Sequence, residues 1–479
     1  MSISLFNTLT KKKEKFLPTE KDSVKIYSCG PTVYNFAHIG NFRAYVSADI
    51  LQRFLRFKGF KVKWVMNITD IDDKTIRDSQ KKYPKEDPES ALNKFTSYYE
   101  KAFFEDLETL KIKKDNFHKN PCALNYIDSM QSLIRKIFAN GFAYENEGSI
   151  YFDVKSFSEK NDYGVLKNID MKNFRATRIK EDDGKQDLAD FVLWKAKKEG
   201  EPFWDFEIDG QSLPGRPGWH IECSAMGEEI FPGGFDIHTG GVDLIFPHHE
   251  NEVAQSKAGY GHGIAKIWFH NEYLTVNSEK MAKSKDNFFL VRDILDKSYS
   301  PNVIRFFLLS VHYRAKLDFN EENLINAKSA VDKINNFYLN FLDLREEKES
   351  KENEEIKELS KSTLINFEKA LDDDLNISKA LSFLFSFISD INKFSANKES
   401  LGKKTKKRVV ETLEKIDEVL AILQKEKREI PEEIIKLAEE RNRFRKEKKW
   451  QEADRLRDEL LSRGYLVKDK EGGFDIVLR

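Results

Sequence analysis

The sequence predicts an α/β fold in which a parallel sheet is followed by a long helical region. Three observations support this prediction. Residues 24–73 show the signals of a strand, a helix and a second strand; strand-like apolar stretches return near residues 235 and 266; and after about residue 290 the apolar spacing becomes helical. Because the 479 residues greatly exceed the roughly 150 of an average domain, we expect several domains.

The first strand, helix and second strand form one βαβ unit. Val24–Cys29 is largely apolar and ends at Gly30-Pro31, a pair that breaks a strand. Ala44–Lys58 places apolar residues at helical spacing, and Lys61–Thr69 again has strand character. A βαβ unit favours a parallel sheet that binds ligands at the carboxyl ends of its strands.

An insertion interrupts this pattern. Asp70 and Asp72 follow the second strand and suit the start of a helix, because acidic side chains accept from free N–H groups there. Residues 115–210 are then rich in charged residues, Asn and Asp. The strand pattern returns at Phe235–His238 and Lys266–Phe269. We therefore expect a Rossmann-like nucleotide-binding domain in two halves, separated by an inserted domain.

The last third of the chain is predicted to be helical. Asn323–Leu344 and Ser362–Phe394 carry amphipathic spacing. The mixed-charge run Arg345–Ser360 between them is expected to be a solvated loop or a frayed helix.

A small α+β piece is predicted at the end of the sequence. Pro431 opens a helix towards Lys446, a second helix covers Trp450–Ser462, and Tyr465–Leu478 predicts two short strands. Before and after Trp450 lie basic residues that suit contacts with phosphates, beside an aromatic ring that suits stacking on a base. A solvated helix face with interleaved acids is the alternative. These basic residues are Arg441, Arg443, Arg445, Lys446, Lys448, Lys449, Arg455, Arg457 and Arg463.

The composition narrows the class of protein. The net charge is −1 although 34% of residues are charged, so the protein is not strongly basic overall. This balance does not exclude nucleic-acid binding by a local basic surface. Three cysteines do not make a disulfide framework and suit metal ligands in an intracellular protein. The sequence lacks a signal-peptide core and the roughly 20-residue apolar run of a membrane span. We expect a cytoplasmic protein with no membrane partner.

Two short strings suit chemistry on ATP. His38-Ile39-Gly40-Asn41 is expected just before the first helix, whose N–H groups and dipole attract phosphate. Lys280-Met281-Ala282-Lys283-Ser284 suits a polar loop that closes over a triphosphate. Taken alone, each string is more simply explained as an ordinary loop, the first with a loop histidine and the second as a charged surface loop. Neither is a Walker A loop.

A third string, His238-Thr239-Gly240-Gly241-Val242-Asp243, also suits a nucleotide. The paired glycines allow close approach of the backbone, and Asp243 can accept hydrogen bonds from ribose hydroxyls. The alternative is a glycine turn with an Asp cap.

The first string ends the longer pattern Cys-Gly-Pro-Thr-Val-Tyr-(x)3-His-Ile-Gly, which covers Cys29–Gly40. With this pattern and with the strings in this order, the sequence closely resembles the cysteinyl-tRNA synthetases, a family of class I aminoacyl-tRNA synthetases. The resemblance is closest over residues 24–290. It departs from the family pattern at Asn41, where the family has His, and at Ala282, where it has Ser. Asn41 can still donate a hydrogen bond but carries no charge. The resemblance implies charge stabilisation by His38, Asn41, Lys280 and Lys283, and ATP binding by these residues with Gly40, Gly240, Gly241 and Asp243.

The resemblance also implies a zinc site, one ion per chain, with the ligands Cys29, Cys223, His248 and Glu252. On the residues alone, buried structural cysteines are an open alternative, although His248 and Glu252 are four apart and share one helix face. Zinc binds a thiolate strongly in preference to a neutral hydroxyl, which would separate cysteine from serine. His249 is expected to face a different direction, and Cys122 is expected to be structural.

Five further residues are expected near the amino-acid substrate. His220 and His238 would line its pocket, and Trp219 would pack on it. Thr32 and Asp70 would reach its ammonium group. Plain packing or hydrogen bonding is the alternative for each of them.

The predicted activity is ATP-dependent ligation of L-cysteine to tRNA(Cys) through a cysteinyl-adenylate, with Mg²⁺ bound to ATP. A related ligase acting on a small amine and a non-catalytic zinc or RNA-binding protein are the alternatives. We expect a monomer. The predicted domains are a catalytic domain (1–115 and 211–290), an inserted connective domain (116–210), junction helices (291–320), a helical bundle that binds the anticodon stem (321–425) and a small anticodon-binding domain (426–479).

Overall fold

The computed structural model describes residues 2–167, 185–281, 287–349, 351–396, 398–425, 431–470 and 473–478. The chain forms two compact units, Met1–Leu423 and Gln424–Arg479. The first unit contains the strands and helices that position the candidate site.

The strands of the first unit are β1 Ser4–Asn7, β2 Lys12–Lys15, β3 Ser23–Ser28, β4 Lys61–Met66, β5 Ala143–Asn146, β6 Ser149–Phe152, β7 Phe191–Ala196, β8 Glu207–Ile208, β9 Gln211–Ser212, β10 Gly215–Pro217, β11 Phe235–Gly241, β12 Ala265–Asn271, β13 Leu274–Val276, β14 Glu279–Lys280, β15 Leu317–Phe319, β16 Arg345–Glu347 and β17 Ser400–Gly402. Its α-helices are α1 Ile39–Phe57, α2 Asp73–Lys82, α3 Pro88–Thr109, α4 Ile127–Ala139, α5 Val154–Ser158, α6 Ile221–Ile230, α7 Glu250–Tyr260, α8 Val291–Asp296, α9 Pro301–Leu309, α10 Glu321–Asp343, α11 Glu354–Asp372, α12 Ile377–Ser395 and α13 Lys403–Leu420. The second unit contains α14 Glu432–Lys446, α15 Trp450–Ser462, β18 Tyr465–Lys470 and β19 Gly473–Leu478.

A four-stranded parallel sheet lies at the centre of the first unit. Its strand order is β12-β11-β3-β4, with Ile26 paired to Ile237 on one side and to Trp64 on the other. The predicted α/β fold, with a parallel sheet and a helical C-terminal region, is confirmed. Because all four strands run in one direction, their carboxyl ends meet at one edge, where a ligand is expected.

The inserted segment forms a separate antiparallel sheet of order β10-β7-β6-β5. Its strand β10, Gly215–Pro217, pairs with β7 and lies beyond residue 210, where the insertion was predicted to end. The domain limits stay a prediction.

Helix α1 begins five residues earlier than predicted, at Ile39 rather than Ala44. Gly40 and Asn41, both weak helix formers, hid the start. Asn41 nevertheless closes a capping arrangement by accepting from the backbone N–H of His38 at 3.1 Å. Phe42, Val46 and Phe54 bury one face of α1, each stabilising the fold by about 1.5–3 kcal/mol.

The predicted helical stretch Ser362–Phe394 is two helices, α11 and α12, separated by a turn in which Asp374 and Leu375 have φ of 59° and 50°. The buried Asp374 carboxylate accepts from the backbone N–H of Phe6 at 2.8 Å and from the Arg314 guanidinium. The N–H of Asp374 donates to the carbonyl of Ser4 at 2.9 Å. These contacts offset the cost of the left-handed backbone.

The mixed-charge run Arg345–Ser360 is more ordered than predicted. Arg345–Glu347 forms β16 and pairs with β17, and α11 already begins at Glu354, because the Asn353 side chain accepts from the N–H of Ile356.

The first unit also contains a buried ion pair between Arg305 and Asp49. Arg305 on α9 donates to Asp49 on α1 at 2.5 Å, and to the carbonyls of Leu110 and Leu420 at 2.8 and 2.7 Å. Arg53 also donates to Asp49, at 2.7 Å. We call these five residues the Arg305 junction. It joins α1 to the start of the helical region.

The second unit has its own small core of Ile434, Ala438, Leu460 and Val467. Helix α15 has the predicted bounds, and the chain then turns at Gly464, whose φ is 82°. Within the described residues of both units, none of the helices combines the length and apolar character that a membrane span requires.

Candidate functional site

Two thiols, an imidazole and a carboxylate meet at the carboxyl edge of the parallel sheet. Cys29 directly follows β3, Cys223 lies in the first turn of α6, and His248 and Glu252 flank the start of α7. One ligand atom from each lies within 4.8 Å of the others, and all four side chains are buried. We call these four residues the Cys29 cluster.

The distances inside the Cys29 cluster suit a small tetrahedral metal site. The two sulfurs are 3.7 Å apart, close to the ~3.8 Å that separates two thiolates bound tetrahedrally at the usual zinc–sulfur distance. The Oε1 atom of Glu252 lies 3.7 Å from Cys29 Sγ and 3.1 Å from His248 Nε2. Two sulfurs, one nitrogen and one oxygen form a donor set that zinc accepts.

Each of three cluster residues has a histidine behind it. His238 Nε2 lies 2.7 Å from the second oxygen of Glu252, and His220 Nδ1 lies 3.1 Å from His248 Nδ1. His249 Nε2 lies 3.2 Å from Cys29 Sγ. Outer partners of this kind orient metal ligands and set their basicity.

His249, expected to face a different direction from His248, nevertheless reaches the Cys29 cluster. Its ring lies between Cys29 and His270, whose Nε2 is 2.7 Å from His249 Nδ1, and His270 Nδ1 is 2.7 Å from Thr8 Oγ1. The site surrounds the start of α7, so His248 and His249, which directly precede that helix, both reach it. His270 was missed, although its place at the end of a predicted strand next to β11 could have indicated it.

A second donor set overlaps the first. Cys29, His238, His249 and Glu252 also have ligand atoms within 4.8 Å of one another. It has only one sulfur, however, and its two histidines contact members of the first set, His238 at Glu252 and His249 at Cys29. The set with two sulfurs is the better zinc site.

Burial and mutual contacts shift the pKa values of the cluster strongly. Hydrogen bonding to Cys29 lowers the pKa of Cys223 to about 6, whereas burial raises the pKa of Cys29. Burial opposes the charge of His248, but hydrogen bonds to Cys223 and Glu252 outweigh it and raise its pKa to about 10. Burial also opposes the charge of Glu252, yet His238 and His248 lower its pKa to about 2. The cluster therefore pairs an acidic thiol and an ionised carboxylate with a readily protonated imidazole, and a metal ion that bound there would replace that proton.

The first signature string lies on the same edge of the sheet. His38 directly precedes α1, and its ring packs edge-on against Phe288 at 5.2 Å. Asn41, predicted in a loop, lies in the first turn of α1, and its side-chain oxygen caps the helix. The Gly40 N–H belongs to the same turn, where N–H groups point towards a bound anion.

The glycines that end β11 lie beside the Cys29 cluster. A Cβ at Gly240 would be 2.7 Å from a ring carbon of His249, so only glycine fits there. Gly241 and the exposed Asp243 follow at the carboxyl end of the strand. These three residues and the start of α1 therefore share the ligand-binding edge of the sheet.

Lys280 lies on β14, and its Nζ is 5.4 Å from the centre of the Tyr273 ring. Lys283 lies outside the described residues, as do Ala282 and Ser284. The chain returns at Asn287, and the Ile39 N–H donates to Phe289 O at 2.9 Å. The chain at Phe289 is thus bonded to the first turn of α1.

The residues predicted to contact the amino acid fall into two groups. Trp219 stacks on His248 at 4.4 Å and is 38% exposed, and His220 and His238 contact the cluster directly. Thr32 and Asp70 lie on the neighbouring loops after β3 and β4. A cleft lined by Trp219, His220, Asp73, Lys195 and Arg216 opens beside the first group.

Asp70 is buried and accepts from the Leu124 N–H at 3.0 Å. Burial raises its pKa to about 7 despite that hydrogen bond.

Glu222 was missed by sequence reasoning: it is buried beside Cys223 and accepts from Thr69 Oγ1 at 2.6 Å. Nothing in its local sequence distinguishes it from an exposed helix glutamate.

In the second unit, several of the predicted phosphate ligands form ion pairs with acids. Arg441 and Arg445 both contact Asp469, and Arg443, Arg457 and Arg463 contact Glu440, Asp454 and Glu459. Trp450 is 57% exposed. The alternative of a solvated face with interleaved acids therefore describes much of this surface.

Three family models match the chain in succession. They are tRNA synthetases class I (C) catalytic domain over residues 15–329, the DALR domain over residues 366–424, and the cysteinyl-tRNA ligase anticodon binding domain over residues 427–474.

Relatives named as cysteine–tRNA ligases match along almost the whole chain. The cysteine–tRNA ligase of Brachyspira hyodysenteriae is 41% identical over 484 residues, covering 98% of both chains. That of Chlamydia trachomatis serovar A is 41% identical and covers 99% of both. That of Leptospira interrogans serovar Lai is 40% identical and covers 99% of this chain and 98% of the relative.

Solved structures share the fold at low identity. Mycobacterium tuberculosis methionyl-tRNA synthetase, in complex with methionyl-adenylate, matches with a TM-score of 0.59 at 14% identity, covering 84% of this chain and 90% of that one. A ternary complex of Agrobacterium radiobacter LeuRS with tRNA and LeuAMS matches with a TM-score of 0.60 at 10% identity, covering 85% and 84%. With the family models and the 40%-identical relatives, these findings show that the chain belongs to the cysteine–tRNA ligase family of class I aminoacyl-tRNA synthetases.

Proposed function

We propose that this ATP-dependent cysteine–tRNA ligase selects its amino acid with one zinc ion held by Cys29, Cys223, His248 and Glu252. The observation that carries the proposal is the meeting of four buried ligand atoms within 4.8 Å of one another. The histidines behind three of these residues support it further, because metal ligands are commonly held by such partners. When bound, zinc would accept the substrate sulfur as a thiolate and discriminate against the hydroxyl of serine.

The protein's own residues would hold the amino acid around that sulfur. Trp219 stacks on His248 and leaves an exposed ring face towards the cleft. Asp70 is proposed to pair with the substrate ammonium group, since a cation would stabilise the ionised form of this buried carboxyl. Thr32 is proposed to assist from the neighbouring loop.

We propose that ATP lies along the edge formed by the start of α1 and the end of β11. The carboxylate oxygen of cysteine attacks the α-phosphorus, and pyrophosphate leaves as the bond between that phosphorus and the bridging oxygen breaks. Mg²⁺ bound to ATP would neutralise charge on the phosphates. His38 and Asn41 would stabilise the negative charge that builds on the phosphoryl oxygens, together with Lys280 and Lys283. Gly40, Gly240 and Gly241 would give the nucleotide close access to the backbone, and Asp243 would accept from the ribose hydroxyls.

In the second step, a ribose hydroxyl at the tRNA 3′ end attacks the carbonyl carbon of the adenylate, and AMP leaves. The predicted domains suit this substrate, because the helical bundle (321–425) and the small domain (426–479) would bind the anticodon side of the tRNA. The match of residues 427–474 to an anticodon binding domain supports that role. A small-amine ligase or a non-catalytic RNA-binding protein is not favoured by the full-length relatives. A monomer acting in the cytoplasm completes the proposal.

Pyrophosphate exchange into ATP tests the first step. Zinc-loaded protein should catalyse exchange with cysteine and not with serine, and Lys283→Ala should lose exchange while retaining tRNA binding. Charging of total tRNA with labelled cysteine tests the second step. Folded, zinc-loaded protein without cysteine-dependent exchange would contradict the proposed chemistry.

Removal of the metal tests the selection step separately. Metal analysis should give one zinc per chain, and chelation should abolish the preference for cysteine over serine. A demetallated preparation that still prefers cysteine would contradict the role of the Cys29 cluster.

A further inference from the structure

We infer that Arg43 is a positioning residue for adenylate formation, because it fixes the hairpin that carries Lys280 to the helix that begins beside His38. The inference rests on the proposed roles of these two residues. Arg43 lies one turn after the start of α1 and does not belong to either signature string.

Arg43 is only 1% exposed, and its described hydrogen bonds all go to backbone carbonyls. Nη1 donates to Tyr273 O at 3.0 Å, while Nη2 faces the carbonyls of His312 and Tyr313 at 3.4 Å each, and that of Ala315. Burial lowers its pKa to about 10, so the guanidinium keeps its charge at neutral pH. A fixed fork of donors suits such a set of carbonyls better than the single ammonium of lysine.

The first carbonyl belongs to the root of the Lys280 hairpin. Tyr273 immediately precedes β13, which pairs with β14 so that Thr275 lies opposite Lys280. The ring of the same Tyr273 lies 5.4 Å from the Lys280 Nζ. Tyr273 therefore connects Arg43 to Lys280, because its carbonyl accepts from Arg43 and its ring lies beside the Lys280 ammonium.

The remaining carbonyls belong to the segment that supports the hairpin from the other side. Tyr313 O also accepts from the Glu272 N–H at 2.8 Å, and the Leu317 N–H donates to Tyr273 O at 3.2 Å. β15 then continues beside β13 in parallel. Arg43 thus holds both the hairpin and its supporting strand against α1.

Phe289 and Leu290, which follow the Lys280 hairpin in the chain, are bonded to the start of α1. The Ile39 N–H donates to Phe289 O, and His38 pairs with Leu290. Backbone contacts thus fix Phe289 and Leu290 at the first turn of α1. Arg43 fixes the root of the hairpin, at Tyr273, to the same helix. A displacement of about 1 Å at a reacting group can cost about 100-fold in rate.

The test is Arg43→Lys, which keeps the charge and removes the fork. We expect the kcat of cysteine-dependent pyrophosphate exchange to fall about 30- to 100-fold and the KM for ATP to rise. The KM for cysteine, and the single-turnover transfer of cysteine from preformed adenylate to tRNA, should stay within about two-fold of the original protein. A general loss of structure would not separate these quantities.

Arg305→Lys is the matched control, because Arg305 is equally buried and also contacts α1, at Asp49, away from the hairpin. It should lower the melting temperature and leave the exchange rate within about two-fold. An unchanged exchange rate in folded Arg43→Lys overturns the inference, as does an equal loss in exchange, transfer and cysteine binding.

If Arg43→Lys does not fold, Leu274→Ala provides the second variant. Leu274 is buried at the hairpin root beside Gly40, so this change loosens the same contact with Arg43 intact. It must show the same selective loss of exchange, and a normal exchange rate overturns the inference. Failure of the proposed function is distinct, since the unaltered protein would then show no cysteine-dependent exchange.

Discussion

The Cys29 cluster and the Arg305 junction are buried to a similar extent but balance their charges in different ways. In the junction, Asp49 contacts two guanidinium groups, and Arg305 also uses two backbone carbonyls. In the cluster, two thiols and a carboxylate are surrounded by imidazoles. The junction contains its own counter-charge, whereas the cluster collects lone pairs around a space that suits a metal ion.

This difference separates a structural site from a binding site. A buried ion pair is held by both of its partners, so it needs nothing from solution. A buried set of anionic ligands is stable only when a cation joins it or when protons neutralise it. Burial of charge alone therefore does not indicate function; the source of the counter-charge does.

The largest effect is expected from Cys223→Ser in the Cys29 cluster. We expect loss of bound zinc and a fall of more than about 1,000-fold in kcat/KM for cysteine, since even the outer partners of metal ligands are worth about 10- to 100-fold. Metal analysis and pyrophosphate exchange measure the two effects. Cys122→Ser is the matched control, because Cys122 lies outside the cluster. Retention of stoichiometric zinc by Cys223→Ser would contradict the ligand assignment.

The second prediction concerns the Arg305 junction. Asp49→Asn leaves a guanidinium buried without its carboxylate, so the free energy of unfolding should fall by about 3–5 kcal/mol. Zinc content should not change. Denaturant unfolding checks the loss, and the double variant Asp49→Leu with Arg305→Met should recover much of it, because the one guanidinium that remains, Arg53, is partly exposed. If both variants were equally unstable, charge pairing would not explain the junction.

A smaller effect is expected behind the cluster. His270→Gln interrupts the series from Thr8 through His249 to Cys29, so zinc affinity should fall about 10- to 100-fold. Competition with a chelator measures the affinity. His262→Gln, at a partly exposed position, should leave it unchanged. Equal affinity in both variants would show that His249 needs no support from His270.

The smallest effect concerns Asp70, a buried carboxyl that lacks the guanidinium partners of Asp49. Its pKa of about 7 lies above the ordinary 3.8, so the folded protein keeps a proton that the unfolded chain has already lost between these values. The free energy of unfolding should therefore decrease as pH rises from about 4 to 7. Asp70→Asn should reduce this slope in denaturant titrations across the same range. An unchanged slope would mean that groups other than Asp70 cause the pH dependence of the free energy of unfolding.

Much of the fold was predictable because it depends on local signals. The parallel strands β3, β4, β11 and β12 follow apolar runs, and α15 begins and ends at the predicted residues. The start of α1 was misplaced, because Gly40 and Asn41 in its first turn are weak helix formers, and the cap of Asn41 on His38 gives no apolar signal. The break at Asp374 was missed for a related reason: its partner, Phe6, is 368 residues away.

The candidate site was predictable in part. Among the described residues carried over from the family strings, those at the start of α1 and at the end of β11 lie at one edge of the sheet, and the roles proposed for all of them stay predictions. His249 and His270 were not found, since their neighbours come from separate strands. Arg43 was not found either, because backbone carbonyl acceptors leave no trace in the sequence.

The link between Phe6 and Asp374 also constrains the order in which the protein can form during synthesis. The backbone groups of Ser4 and Phe6 complete their hydrogen bonds only with Asp374. A nascent chain therefore emerges with its first strand unanchored on that side until the turn after α11 has left the ribosome. At about 5–20 residues per second, that interval is tens of seconds, in which a chaperone or a neighbouring nascent chain meets an open strand edge.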